Sequence, residues 1–125
     1  MPKEVIHSRV PSFSLGTMAE GFVFLSGRGP TDPKTGQTPT DIREQLKQVM
    51  TNIRTTLESV GGSLEDVLKV TIWMKNIADF KAVTEEFVKF FKEGNAPART
   101  CIQVTLPPGP YLLEIETIAY IGKKK

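Results

Sequence analysis

The stretch VLKVTIWM, residues 67–74, decides the fold of this chain. It is rich in β-branched residues, which favour extended backbone. Two sets of side chains alternate along it, Val70, Ile72 and Met74 against Lys69, Thr71 and Trp73. Because successive side chains of a strand point to opposite faces of a sheet, the alternation predicts a strand with one face buried.

An amphipathic helix is predicted on each side of this strand. Upstream, helix signals begin near Thr40 and Asp41 and end at Gly61-Gly62, since glycine is typical of a helix C-terminus. The apolar residues between recur at three- and four-residue steps: Ile42, Leu46, Val49, Met50, Ile53, Leu57 and Val60. Downstream, a second helix is predicted over 79–92, with Asp79 as its N-cap and an apolar side made by Phe80, Val83, Phe87, Phe90 and Phe91.

Four further strands complete the predicted sheet. One covers 4–7, a second covers 22–25 and stops at Ser26-Gly27, and the last covers 112–121. The remaining strand lies in APARTCIQVTL, residues 96–106, where the residues that share a face are Ile102, Val104 and Leu106. The segment with Pro11 and Gly16 is predicted to be irregular. The order β-β-α-β-α-β-β predicts an α+β fold, one domain over 1–125, with both helices on one face of a mixed sheet.

The second face of this sheet is also apolar. In 22–25 the residues that point to either face are apolar. In the last strand, Ile118 and Tyr120 point to one face and Ile115, Ala119 and Ile121 to the other. Two helices cover one side only, so the other side must be buried against something else. Identical chains supply identical faces, and we therefore expect an oligomer whose sheets pack on each other.

Composition excludes several classes of function. The net charge is +2, and the terminal Lys123-Lys124-Lys125 accounts for the excess, so no basic surface for nucleic acid is predicted. One cysteine and one histidine leave no internal disulfide and no plausible Cys/His metal site. No apolar run approaches membrane-spanning length, and the N-terminus lacks a signal-peptide h-region. We expect a cytoplasmic protein without a metal.

Several short motifs together resemble one family. They are Ser26-Gly27 after an apolar strand, DPKTG (32–36), Gln45, Asn52, Asp79-Phe80, PART (97–100), Leu106-Pro107 and EIETIA (114–119). Nearly the whole chain is similar to the RidA (YjgF) family of reactive-intermediate deaminases. The resemblance implies a chorismate-mutase-like fold and a homotrimer whose sheets line a central barrel, with three clefts between subunits. It further implies hydrolysis of 2-imino acids, derived from 2-aminoacrylate and its homologues, to 2-oxo acids and ammonia, without a cofactor.

Two residues are predicted to be catalytic. By the resemblance, Arg99 pairs with the substrate carboxylate, and a guanidinium offers a planar fork that matches this group and never deprotonates. The alternative is an intersubunit ion pair. Glu114 matches the active-site glutamate of the family, which orients and activates the attacking water. Its alternative is an exposed strand carboxylate, the role expected of Glu116.

Six further residues are predicted to contact substrate: Phe13, Ser26, Gly27, Arg28, Thr84 and Cys101. Cys101 contributes backbone groups by the resemblance, and its thiol is not predicted to be a nucleophile. Three of the six depart from the family pattern. Phe13 replaces a tyrosine, Arg28 a glutamine and Thr84 an asparagine, which suggests an altered substrate preference.

Other functions remain open at this point. Arg28 would fit an aminomuconate-type enamine deaminase as a second carboxylate clamp, or it pairs with Asp32 or another subunit. A regulatory or holdase interaction protein would use the same oligomer without Arg99. An RNA-directed translation inhibitor is weakly supported, because the sequence has no basic-aromatic surface. Trp73 is predicted to be a core or interface residue.

Overall fold

A mixed six-stranded sheet forms the body of the protein in a computed structural model, which describes residues 2–122. In chain order the strands are β1 (Glu4–Ile6), β2 (Gly16–Ala19), β3 (Phe22–Arg28), β4 (Val67–Met74), β5 (Ala98–Gln103) and β6 (Leu113–Tyr120). They lie side by side in the order β1-β2-β3-β6-β4-β5. Strands β4 and β5 run parallel, and all other neighbours run antiparallel. The predicted mixed sheet is confirmed, and β4 has the bounds that its sequence indicates.

Two helices cover one face of the sheet, as predicted. Helix α1 (Ile42–Ser59) begins at Asp41, whose carboxylate accepts a hydrogen bond from the Glu44 backbone N–H at 3.1 Å. It ends before Gly61, which has φ of +86°. Helix α2 (Phe80–Phe87) packs beside α1. Along residues 2–122, none of the helices is both long and apolar enough to cross a bilayer.

Strand β2 was not predicted. Its Gly16 suggested an irregular segment, yet it pairs with Leu25 of β3. A Cβ at position 16 would lie 2.9 Å from the Phe24 carbonyl oxygen and 2.7 Å from Leu25 Cδ2. Glycine therefore stands here because two strands approach closely, not because the chain turns.

The ends of two other strands also differ from the prediction. Strand β3 does not stop at Ser26-Gly27 but continues to Arg28 through a bulge between Leu25 and Arg28. Strand β5 ends at Gln103, although the Val104 N–H still donates to the Met74 carbonyl at 2.9 Å. The predicted strand face of Ile102, Val104 and Leu106 is therefore wrong beyond Gln103, and Pro107 and Pro108, which follow, have no backbone N–H to continue the pairing.

The second helix is shorter than predicted. After Phe87 the chain tightens into a 3₁₀ turn over Val88–Phe90. Phe91 then adopts extended backbone and is buried, with its ring centroid 5.0 Å from that of Phe87. Asp79 occupies the N-cap position but makes no side-chain capping hydrogen bond. Asn76 caps the preceding turn instead, accepting from the Ala78 N–H at 2.9 Å.

On the face of the sheet opposite the helices, an apolar surface across β3 and the end of β6 is exposed in the single chain. Phe22, Phe24 and Tyr120 are 40–47% exposed, and the Phe22 ring centroid lies 4.9 Å from that of Tyr120. These rings stand across β3 and β6, where Phe22 pairs with Tyr120 and Phe24 with Ile118. We call this surface, made by Phe22, Phe24, Ile118 and Tyr120, the open face. The sequence argument for a second apolar face is thus confirmed.

One buried hydroxyl yields a stability prediction. Thr117 Oγ1, on β6 toward the helices, has no hydrogen-bond partner among the described residues, and Thr117 is 1% exposed. We expect Thr117→Val to raise the free energy of unfolding by about 1 kcal/mol, because a methyl group replaces an unpaired polar group. Urea denaturation measures this. Thr56→Val is the matched control: Thr56 is also buried, but its Oγ1 donates to the Asn52 carbonyl and accepts from Arg28, so that change should destabilise.

Candidate functional site

A cavity of about 800 Å³ opens where β3 ends, beside β4 and β6. The segment 7–15 and the chain following β3 form its outer walls. Its polar and aromatic lining includes His7, Arg9, Phe13, Ser26, Gly27, Arg28, Thr31, Trp73, Tyr111 and Glu114. Five predicted site residues are therefore brought together: Phe13, Ser26, Gly27, Arg28 and Glu114.

The bulge in β3 attaches the N-terminal wall of the cavity. Ser26 donates from its backbone N–H to the Leu15 carbonyl at 2.9 Å and from its hydroxyl to the Ser14 carbonyl at 2.7 Å. Ser8 in turn donates to the Phe13 carbonyl at 2.6 Å. Phe13 is thereby held as part of the wall with its ring 52% exposed. The predicted strand end at Ser26-Gly27 is in fact an anchor for the segment that closes the cavity.

Glu114 lies on the inner wall of the cavity. It sits on β6 directly opposite Trp73 of β4, on the face that the helices leave open. Burial raises the pKa of the Glu114 carboxyl group above its ordinary value. A Cβ at Gly27 would lie 3.0 Å from Glu114 Oε1 and 3.2 Å from the Trp73 ring, so glycine leaves room for the carboxylate. A carboxyl group with a raised pKa in a cavity is suited to taking and returning a proton.

Two buried amides of α1 position the loops that carry other wall residues. Gln45 donates to the Pro39 and Pro110 carbonyls and accepts from the Leu112 N–H at 2.8 Å. Asn52 donates to the carbonyls of Gly29 and Thr31, at 3.1 and 2.9 Å. Both amides are almost fully buried and fully engaged. Gln45 thus fixes the chain on each side of Tyr111, and Asn52 fixes the chain at Thr31, whose Oγ1 lies 3.1 Å from the Tyr111 hydroxyl.

Arg28 is a half-buried cation at the edge of the cavity, and its register with buried Ile115 places its side chain on the helix-covered face of the sheet. Its Nη1 donates to Thr56 Oγ1 on α1 at 3.2 Å. The ion pair between Arg28 and Asp32, which the sequence left open as an alternative, is not formed. Asp32 Oδ1 instead accepts a hydrogen bond from the Lys34 N–H and shapes the turn. Burial lowers the pKa of the Arg28 guanidinium, and only the nearby Tyr111 opposes this.

Arg99 lies in a different place. It pairs in register with Val70, and Cys101 with Ile72, so both side chains are on the helix-covered face of the edge strand β5. Arg99 Nη1 donates to Thr84 Oγ1 at 3.1 Å. Its Cζ lies 5.3 Å from the Phe80 ring centroid and 5.8 Å from that of Phe87. These contacts hold the guanidinium against α2.

The eight predicted site residues therefore form two groups. Thr84, Arg99 and Cys101 gather at the β5 edge, and the other five line the cavity. Arg99 and Glu114 lie on opposite faces of one sheet, so a single chain does not unite them. Burial raises the pKa of the Cys101 thiol, and the Arg99 charge only partly opposes this, which does not favour a thiolate nucleophile.

Sequence reasoning missed several wall residues. No functional role was predicted for Trp73. Its side chain alternates with the buried side chains of β4 and therefore lies on the same face of the sheet as Glu114. Tyr111 follows a proline-rich turn, and no periodic pattern marks it. His7 was predicted to end the first strand and Arg9 to lie in an irregular segment, and neither pattern indicates that these residues lie near the cavity.

Comparison with known proteins agrees with the motifs. The sequence model of the family described as "Endoribonuclease L-PSP" matches residues 7–121. A RutC family protein of Pyrococcus horikoshii is 40% identical over 124 residues, covering 94% of this chain and 98% of the relative. The 2-iminobutanoate/2-iminopropanoate deaminase of Escherichia coli K12 is 33% identical over 126 residues, covering 95% and 98%.

A solved structure gives the same result for the fold. The crystal structure of YyfA from Yersinia pestis, of the conserved Rid protein family, superposes with a TM-score of 0.90 at 31% identity, covering 96% of this chain and 100% of that one. With the motifs, the fold and the relatives in agreement, this chain belongs to the RidA/YjgF family.

Proposed function

We propose that this protein hydrolyses reactive 2-imino acids and their enamine tautomers to 2-oxo acids and ammonia, in a cleft completed by a second copy of the chain. The observation that carries the proposal is the Glu114 carboxyl group, with its raised pKa, in a cavity of about 800 Å³. Relatives that bear the name 2-iminobutanoate/2-iminopropanoate deaminase support the same chemistry. The family description also names a ribonuclease, but a net charge of +2 gives no reason to expect RNA binding.

A second copy is needed because the two groups of site residues are separate in one chain. Arg99 and Cys101 belong to β5, which is an edge of the sheet, and the cavity opens elsewhere. The open face gives a physical reason for association, since large aromatic side chains are stabilised by burial. We propose a homotrimer whose open faces line a central barrel, with the β5 edge of one copy beside the cavity of the next.

The reaction makes modest demands on the protein. The Arg99 guanidinium binds the substrate carboxylate. Glu114 orients a water molecule and takes its proton as the oxygen adds to the imine carbon. The resulting carbinolamine loses ammonia after proton return to its nitrogen, and the carbonyl of the 2-oxo acid forms. A protonated imine is already electrophilic, so positioning of water supplies much of the acceleration.

An imine-hydrolysis assay tests the proposed function. An amino acid oxidase generates 2-iminobutanoate in place, and the rate at which the imine disappears is followed with and without the protein. We expect a clear increase over the spontaneous rate, proportional to protein concentration. A rate equal to the spontaneous one with properly assembled protein would contradict the proposal and favour an interaction protein of the same fold.

The proposed trimer can be tested through the open face. We expect sedimentation equilibrium to give three times the chain mass at micromolar concentration, and Phe24→Lys to yield monomers. A charge at this position would be buried unpaired between subunits, which costs several kcal/mol. Thr55→Lys, on the exposed side of α1, is the matched control and should remain trimeric. A wild-type monomer would contradict the assembly, and a dimer would contradict the central barrel.

A further inference from the structure

We infer that Arg28 binds a second anionic group of the substrate, so that the preferred substrates are imino or enamino acids with a second carboxylate distant from the first. This inference rests on the proposed deaminase function, because it names the substrate class of that same cavity. Arg28 is held by the Thr56 hydroxyl, forms no ion pair among residues 2–122 and is one of the residues that line the cavity of about 800 Å³.

Arg28 is rigidly mounted. It is the last residue of β3, pairs with Ile115 across the bulge and donates to Thr56 Oγ1. The Thr56 hydroxyl gives its own hydrogen to the Asn52 carbonyl at 3.1 Å, so its oxygen is turned toward the guanidinium as an acceptor. A guanidinium has five N–H donors, and one such contact leaves most of them free to bind a ligand.

The charge of Arg28 is not neutralised by an ion pair within the described part of the chain. Among residues 2–122, none of the ion pairs involves Arg28; they connect Arg43, Lys47 and Lys89 to glutamates of α1 and α2. Glu114 lines the same cavity, yet burial alone accounts for its raised pKa, which a close guanidinium would oppose. A half-buried, unpaired cation is unfavourable, and an incoming carboxylate would relieve that cost.

The rest of the cavity agrees with an anionic ligand. Its charged lining comprises the cations Arg9 and Arg28 and the single carboxyl group of Glu114, with His7 and Tyr111 as further titratable residues. In the single chain, before a second copy completes the cleft, the cavity has about 800 Å³ and so leaves room for a ligand longer than a four-carbon imino acid. With Arg99 of the neighbouring copy holding the first carboxylate, Arg28 is left for a second one. In the proposed trimer, the two arginines would hold the two ends of an extended substrate.

Calorimetry with two stable 2-oxo acids tests this inference without requiring turnover. We expect wild-type protein to bind 2-oxoglutarate at least about tenfold more tightly than 2-oxobutanoate, as a charged bidentate hydrogen bond predicts. Arg28→Gln should remove most of that difference, and Arg28→Lys should retain part of it, because lysine keeps the charge without the fork. Arg54→Gln removes an equal charge from the exposed side of α1 and should keep the full preference.

Turnover of the two corresponding imines separates this inference from the proposed function. We expect the ratio of kcat/KM for 2-iminoglutarate to that for 2-iminobutanoate to fall at least about tenfold in Arg28→Gln. A ratio unchanged in that variant, or equal binding of the two 2-oxo acids by wild type, would overturn the inference while leaving imine hydrolysis intact. If the protein shows the Arg28-dependent binding preference but hydrolyses neither imine, the proposed deaminase function is refuted and the anion site is supported. If Arg28→Gln does not fold, as its melting curve will show, Arg28→Lys decides by the same ratios.

Discussion

Replacing Arg99 with lysine is expected to lower kcat/KM for 2-imino acids by at least about tenfold, although lysine keeps the positive charge. Losing one partner of a buried charged hydrogen-bond pair typically costs about 2–5 kcal/mol. Lysine has no planar fork for a carboxylate, and it cannot reproduce the Thr84 hydrogen bond together with the packing against Phe80 and Phe87. The loss should fall mainly on KM, because the substrate carboxylate is charged in the ground state and transition state alike.

Steady-state kinetics and calorimetry with 2-oxobutanoate measure the effect of Arg99→Lys. Both the affinity for the 2-oxo acid and kcat/KM should fall together. Cys101→Ser alters the same face of β5 two residues further on and serves as the control; it should retain most activity, since the thiol is not the nucleophile. An Arg99→Lys protein that binds and turns over like wild type would make Arg99 a structural residue.

Much of the fold follows from local sequence patterns. Strand β4 and helix α1 were predicted closely, because each has a long, regular period and α1 has an N-cap and a glycine end. Strand β2 was missed because its four residues carry no period of their own, and Gly16 has a meaning only beside Phe24 and Leu25. Short elements defined by a neighbour are not visible in their own sequence.

The candidate site was predicted as a set of residues but not as an arrangement. The resemblance to a family supplied Arg99 and Glu114, and nothing in the sequence shows that they face opposite sides of one sheet. Strand alternation relates residues within a strand, whereas this relation depends on the register between β4, β5 and β6. Arg28 illustrates the same limit, because its partner Thr56 lies 28 positions away on a helix.

Glu114→Gln is expected to slow turnover by about 10²–10⁴-fold while binding of 2-oxobutanoate remains close to wild type. The amide can still hold a water molecule by hydrogen bonds, but it cannot accept its proton. We do not expect the slower turnover of Glu114→Gln to result from loss of folding. Burial raises the pKa of the Glu114 carboxyl group, so the folded state is destabilised by its ionised form, and a neutral amide should leave the melting temperature equal or higher at neutral pH.

The pH profile identifies Glu114 as the base. A base works only when ionised, so wild-type kcat/KM should be present above the raised pKa of Glu114 and fall as the pH decreases through it. This acidic limb should therefore lie above the ordinary carboxyl value of 4.5. Glu114→Gln should abolish the limb, whereas Glu116→Gln, an exposed carboxylate two residues along β6, should preserve both the limb and the rate. If the limb persists in Glu114→Gln at its wild-type position, another group takes the proton and Glu114 only lines the cavity.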